Sequence, residues 1–351
     1  MVHNSGYEDV YGLTFADYSN QQFSDFLAPL EYRITSNGLN PSDLFRGKRV
    51  LDAGCGGGRG SVLAAKYGAS HVTSIDVSKT NCLTTKYRLE HLGVSEFESV
   101  VLNCDLEHLP CASGDYDFIW FNGVLQHTER PSRVMREILR VLRSGGQGWL
   151  YVYGRGGVYW KVIATFRQAF SKLTVQEIVC ELKKIGLDAN RIAEIVDDWK
   201  TPYLRVYGAT EFESAIESMG FTLDRLMLGV AYDTSELLSR GFSNELVGDG
   251  DLRYIFTKKH DDVTTSQSQA AKLLDESHLH CEEQATFDPD KLNGLTALDS
   301  SLLAFLRIAE FDPIRQVEVA ANTQLRLRDE FLLSPSTELA VECISSLNMV
   351  H

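Results

Sequence analysis

The chain has 351 residues, 44% of them hydrophobic, and a formal net charge of −14. That length holds one large domain or two small ones, and that hydrophobic share supports a full core. The acidity disfavours a nucleic-acid substrate, whose phosphates demand Lys and Arg, and no basic run is present. No apolar run reaches the length of a membrane span, and the first residues show no signal-peptide pattern, so a cytoplasmic location is expected. The seven cysteines contain no C-x-x-C pair and read as reduced thiols. His278-Leu279-His280-Cys281 lacks a second ligand pair and reads as a polar segment, so no metal is expected. Residues 261–351 carry 16 acids and 6 bases, so most of the negative charge belongs to the tail.

In chain order, the N-terminal region is aromatic-rich (Tyr7, Tyr11, Phe15, Tyr18, Tyr32). Phe23, Phe26, Leu27 and Leu30 recur at helical spacing, predicting a helix over 20–37 that stops at Asn37-Gly38. The apolar run Val50-Leu51 ends in Asp52 and enters Ala53-Gly54-Cys55-Gly56-Gly57-Gly58. This reads as a buried parallel strand, a tight turn and a helix start, where a ligand can lie against bare backbone. The pattern is not a dinucleotide fingerprint. G-x-G-x-x-G would need its last glycine at 59 or 61, where Arg59 and Ser61 stand. A carboxylate at Asp52 would repel a pyrophosphate but suits an ammonium group.

His71 to Asp76 reads as a second strand ending in an acid, about twenty residues past the glycine loop, the spacing of a carboxylate that accepts from ribose hydroxyls. Phe97 to Asn103 is a third strand, followed by Asp105-Leu106. Tyr116 to Asn122 is a fourth, followed by Gly123 and the run to Thr128. A helix through Arg140–Arg143 is expected to stop at a Gly145-Gly146 cap before a fifth strand over 147–153. Residues 154–209 read as an insert with helices near 173–185 and 189–199. Following strand five, the insert would lie over the carboxyl ends of the strands as a lid. A helix over 211–219 and antiparallel strands near 221–231 and 251–258 complete the sheet. Residues 260–351 begin as a polar linker and show amphipathic stretches near 298–309 and 314–328, suited to a helical appendage, a dimerisation arm or a tail.

The ordered series within residues 50–153 resembles the class I S-adenosylmethionine (SAM) dependent methyltransferases. It includes the family's N-x-x-L-x-H-x as Asn122, Leu125 and His127, and R-x-L-x-x-G-G as Arg140, Leu142, Gly145 and Gly146. The resemblance implies an α/β fold: a Rossmann-like seven-stranded sheet with a helical lid insert and a mainly helical C-terminal extension. The expected domains are an N-terminal helical cap (1–48), a SAM-binding domain (49–259, lid 154–209) and an acidic extension (260–351). SAM is the implied cofactor, held by Asp52, Gly54, Cys55, Gly56, Gly58, Asp76, Val77, Asp105, Leu106, Asn122 and Gly123. In the family, an acid at the Asp105 position holds the adenine amino group.

Tyr18 and Arg33 on the N-terminal cap are further pocket candidates, Arg33 pairing with a carboxylate of SAM or of substrate. His127 is the candidate general base, its alternative being to shape the loop. Tyr159, with Tyr151, Tyr153 and Trp160, can steady a sulfonium through cation–π attraction. Tyr203, Arg205 and Tyr207 are placed to close the pocket. The implied activity is methylation of a small-molecule acceptor at O, N or C, with a homodimer through the C-terminal extension or lid as a possible assembly. Tyr153 to Trp160 bears a fainter likeness to methyltransferase-fold cyclases that convert SAM to azetidine-2-carboxylate and methylthioadenosine. A non-catalytic SAM-binding protein is the third alternative.

Overall fold

The structure, a computed structural model, describes residues 5–12, 18–91, 98–156, 160, 163–164, 167, 171–184, 187, 189–228, 248–259 and 267–279. Phe15, Tyr159 and the amphipathic stretches 298–309 and 314–328 lie outside them. The chain divides into two compact units: Met1–Gly154 with Pro202–Val230 and Asp251–His278, and Arg155–Thr201 with Ala231–Gly250 and Leu279–His351.

In the first unit the elements are α1 (Asn20–Ser36), α2 (Pro41–Phe45), β1 (Arg49–Ala53), α3 (Arg59–Lys66), β2 (His71–Asp76), α4 (Lys79–His91), β3 (Ser99–Asn103) and β4 (Tyr116–Asn122). Then follow α5 (Pro131–Val141) and β5 (Leu142–Tyr153). The strands form one seven-stranded sheet in the order β3-β2-β1-β4-β5-β7-β6, with β6 (Phe221–Leu226) and β7 (Asp251–Lys258) closing one edge. β1 to β5 are parallel, and β7 is antiparallel to both β5 and β6. The strand order reverses between β1 and β4. Chains leaving those two carboxyl ends diverge there, which opens the crevice where ligands bind in open α/β sheets.

Alternation along each strand divides the core between two layers. Leu51, Ala53, Ile119 and Leu150 pack toward α5 and toward α8 (Ala209–Ser218), as does Leu274 of α9 (Gln267–Glu276). Val50, Phe118, Trp120 and Trp149 pack toward Leu30 and Ile34 of α1 and toward Val62 and Leu63 of α3. α1 starts with a reciprocal capping box: Gln22 N–H donates to Ser19 Oγ (3.2 Å) and Ser19 N–H to Gln22 Oε1 (2.9 Å).

Four local outcomes differ from the expectations. α5 ends at Val141, and its cap is the extended Leu142 rather than the glycines. β5 begins at once, and Gly145 sits inside it at φ +69°, where the β4–β5 register shifts. A pattern of apolar and glycine residues does not fix where a helix hands over to a strand that follows directly. Residues 267–276 form a helix docked through Ala270 and Leu274, anchored by Ser132 Oγ donating to Asp275 (2.7 Å), which starts inside the expected polar linker and agrees with a helical extension. The stretch Pro202–Gly208 belongs to the sheet-bearing unit, with Tyr207 bridged to Gly154. β6 is described only to Leu226, short of the expected 231.

In the second unit, α6 (Val175–Lys184) and α7 (Ala189–Lys200) bury Ile178, Leu182, Ile192, Val196 and Trp199. Thr174 and Glu177 cap α6 reciprocally, and Arg167 donates to the carbonyls of Asp198 and Thr201 at 2.8 Å each. Among the described residues, no helix is long and apolar enough to cross a membrane.

Candidate functional site

The glycine loop leaves β1 pulled toward β2. Gly54 and Cys55 N–H both donate to the Ile75 carbonyl (2.8 and 2.9 Å), and Gly56 N–H donates to Asp76 Oδ2 (2.8 Å). Gly54, Gly56 and Gly58 all have positive φ (+75°, +50°, +87°), a conformation that disfavours any Cβ. At Gly54 a Cβ would also lie 2.5 Å from the Val124 side chain. The loop therefore approaches the β4 exit as closely as bare backbone allows. Cys55 is buried, and burial raises its thiol well above the ordinary range, so it stays protonated.

Each expected carboxylate stands at a strand end, held differently. Asp52 is 2% exposed and accepts from Ser61 Oγ at 2.6 Å, and the Ser61 N–H adds to it. It thus caps the first turn of α3, and burial pushes its carboxyl up to about 7. Asp76 Oδ1 accepts from Ser78 N–H (2.8 Å) and Asn81 Nδ2 (3.2 Å). Burial raises Asp76, and the Ser78 and Gly56 N–H groups work against that rise. Val77 lies next to it, its carbonyl accepting from Asn103 Nδ2 (2.8 Å). Asp105 is exposed and turns back onto the Glu107 N–H (2.9 Å), with Leu106 buried beside it. These residues gather amides and carboxylates at the ends of β1, β2 and β3. Their donor and acceptor set fits a nucleoside with ribose hydroxyls and a positively charged tail.

On the β4 side, Asn122 Oδ1 accepts from Trp149 Nε1 (2.9 Å), so its carbonyl is turned toward the sheet. Gly123 has φ +73° and donates to the Tyr151 carbonyl (3.0 Å). Next come Gln126 and His127, both buried. His127 Nδ1 lies 3.0 Å from the Tyr203 carbonyl. A carbonyl can only accept, so Nδ1 carries a proton, and in the neutral form of the ring the lone pair lies on Nε2. The imidazole is flanked edgewise by Tyr11 (centroids 6.2 Å apart) and Tyr153 (5.4 Å).

The structure separates the two residues expected from the N-terminal cap. Tyr18 packs against Phe26 and near Arg88, whose guanidinium donates to the Gly57 carbonyl, so it buttresses the outside of the glycine loop. Arg33, near the other end of α1, lies within electrostatic reach of Tyr151, Asp251 and Arg253. Tyr159 is outside the described residues.

Arg205 and Tyr207 do not close a pocket. The Arg205 guanidinium donates to the carbonyls of Thr128, Glu129 (2.9 Å) and Asp275 (3.2 Å), and Tyr207 is 1% exposed in the core. Two adjacent residues carry a role with no signal in the sequence beyond local aromaticity. Tyr7 Oη donates to the His127 carbonyl (2.7 Å), and Glu8 accepts from the Thr80 N–H (3.1 Å) and hydroxyl. Residues 7–8 thereby link the start of α4 to the turn after β4.

Residues 51–150 match the family described as "Methyltransferase domain". The chain is 33% identical over 123 residues to Methyltransferase GfsG of Streptomyces halstedii, covering 35% of this chain and 44% of that protein. It is 33% identical over 117 residues to a ubiquinone biosynthesis O-methyltransferase of Aeromonas salmonicida, covering 31% and 44%. It is 35% identical over 132 residues to a malonyl-acyl-carrier-protein O-methyltransferase of Laribacter hongkongensis, covering 35% and 43%. The chain thus spans under half the length of each of these three relatives. The glycine loop, the strand-end acids and the sheet order accord with that similarity of residues 51–150 to a methyltransferase domain.

Proposed function

We propose that this chain transfers the methyl group of SAM to an oxygen of a small-molecule acceptor, with His127 as the general base. When bound, SAM supplies an electrophilic methyl carbon on a sulfonium. The glycine loop and Asp76 would hold its nucleoside, with Asp105 and Leu106 at the base. Asp52 fixes the start of α3 and so the shape of the loop. The β4 exit at Asn122 and Gly123 would face the reacting centre.

The observation that carries the reading is the His127 tautomer. The Tyr203 carbonyl holds Nδ1–H, so Nε2 is the proton acceptor. His127 Nε2 would take the hydroxyl proton of the acceptor, leaving its oxygen to accept the methyl carbon that bound SAM would supply, with the carbon–sulfur electron pair kept by the departing neutral thioether. General-base help of this kind is worth about 10²–10⁴-fold, and alignment supplies much of the rest. Oxygen as the accepting atom is supported by the two relatives named as O-methyltransferases. The intramolecular cyclase alternative has no counterpart among these relatives, all named as methyltransferases.

The test is incubation with SAM and a panel of hydroxylated and carboxylated small molecules, following S-adenosylhomocysteine by mass spectrometry. Its formation only when an acceptor is present is the expected result. Methylthioadenosine formed from SAM alone would replace this reading with cyclisation.

A further inference from the structure

The turn Leu125–His127 carries two buried polar side chains in succession, and the transfer step uses only His127. Gln126 is 0% exposed, and neither its amide nitrogen nor its amide oxygen has a hydrogen-bond partner among the described residues. Its main-chain carbonyl is engaged, accepting from the Arg205 N–H (3.1 Å), so the unmet need is confined to the side chain. Native interiors rarely leave such a group unsatisfied. For packing alone, an apolar side chain of the same size would serve the turn better.

The amide stands at the β4 exit. Val124, two residues before it, is the side chain that a Cβ on Gly54 of the glycine loop would strike at 2.5 Å. Gly123, one residue earlier, has φ +73°. A Cβ built on Gly123 would lie 3.4 Å from the Tyr151 ring and 3.8 Å from Gln126 Nε2, with no nearer atom outside its chain neighbours. Those are ordinary contact distances, so the glycine leaves room for a carbon-sized group between ring and amide. A ligand atom about 1 Å nearer to Gln126 would reach hydrogen-bonding distance of Nε2. Tyr151 Oη is turned to Asp251 Oδ1 (3.0 Å), which leaves the ring carbons as the apolar wall of that room. Asn122, at the start of the same segment, has its amide oxygen already taken by Trp149 Nε1 (2.9 Å).

A carboxamide offers an N–H donor and a C=O acceptor on one edge. A ketone would meet the N–H and leave Oε1 bare. A carboxylate would meet the N–H and set a second oxygen against Oε1. A group with its own C=O and N–H side by side satisfies both atoms through two parallel hydrogen bonds. We propose that Gln126 is the specificity residue of the acceptor site, pairing edge to edge with a neutral carboxamide or lactam of the acceptor beside Gly123. This rests on the methyl-transfer reading only for naming the ligand an acceptor. The ligand reaches the amide as neighbouring side chains part, and the pairing then forms out of water, where an unmatched donor or acceptor is rejected strongly.

The test uses the full chain saturated with S-adenosylhomocysteine and follows 4-fluorobenzamide, 4-fluoroacetophenone and 4-fluorobenzoate by fluorine NMR titration. The three probes are alike in size and differ in what they offer the amide. The expected result is that benzamide binds at least about tenfold more tightly than either of the others. Gln126→Met and Gln126→Leu should each bring benzamide and acetophenone within about twofold of one another, with the affinity for S-adenosylhomocysteine changed less than about twofold. The melting temperature of both variants should be unchanged or higher, because an apolar side chain replaces an unsatisfied amide. Equal or absent binding of benzamide and acetophenone by the native chain overturns the proposal, as does a benzamide preference that survives both substitutions. Tightest binding of benzoate also overturns it, assigning the site to an anion. A lower melting temperature with unchanged probe binding in both variants overturns it too, making the amide a structural part of the turn. A Gln126-dependent benzamide preference without methyl transfer to any acceptor sinks the reaction and leaves the subsite. Methyl transfer without any benzamide preference does the reverse.

Discussion

The two flanks of the crevice satisfy their polar groups in opposite ways. On the β1–β3 flank, the acids are engaged by nearby main chain: Asp76 by Gly56 and Ser78, Asp105 by Glu107. On the β4–β7 flank, side chains from distant segments converge, and Gln126 and the Arg33 Nε have no hydrogen-bond partner among the described residues. A flank built from backbone suits a ligand common to a whole family. A flank of waiting side chains suits a ligand particular to one member.

The sharpest break of this contrast is His127→Asn. It should lower kcat about 10²–10⁴-fold with little change in SAM affinity, since the residue stands outside the group of strand-end amides and carboxylates. Equal loss of SAM binding, measured by calorimetry, would make His127 part of the cofactor flank.

Asp52→Asn probes the other flank. Burial holds the folded-state value at about 7 against an ordinary 3.8, so the group binds its proton more tightly when folded. Its contribution to stability is complete below pH 4 and is lost as pH rises toward 7. At about 1.4 kcal/mol per unit, the ceiling on that loss is about 4 kcal/mol. The variant should flatten ligand-free stability between pH 4 and 8 in denaturant titrations. An unchanged slope would place the pH dependence elsewhere.

Arg205→Met should cost about 3 kcal/mol, because three carbonyls lose their donor. That contrasts with Arg33→Met, for which chemical denaturation should show little loss. Gly54→Ala combines positive φ with a 2.5 Å contact on Val124. It should cost about 2 kcal/mol and weaken SAM markedly. Lys66→Ala removes a surface pair with Glu31 and should cost less than about 1 kcal/mol.

What the sequence disclosed follows the same division. The strand-end acids and Gly54, Gly56 and Gly58 were legible because loop geometry demands those residue types at fixed spacing. Arg33, Gln126, Tyr151, Asp251 and Arg253 are scattered over more than two hundred positions and meet only because α1 crosses toward the β5–β7 edge. No local pattern encodes such a meeting. Arg205 was misread because a cation near a pocket looks the same in sequence whether it faces a ligand or three carbonyls. The docking of α9 was missed because Ala270 and Leu274 give a ten-residue helix little apolar signal among polar neighbours.

The pair Tyr7 and Glu8 has a mechanical corollary. In the strand order, β1 lies between β2 and β4, so Glu8 on Thr80 and Tyr7 on the His127 carbonyl tie together the segments that follow its two neighbours. Loosening either fastening should uncouple those segments without altering a residue of the glycine loop itself.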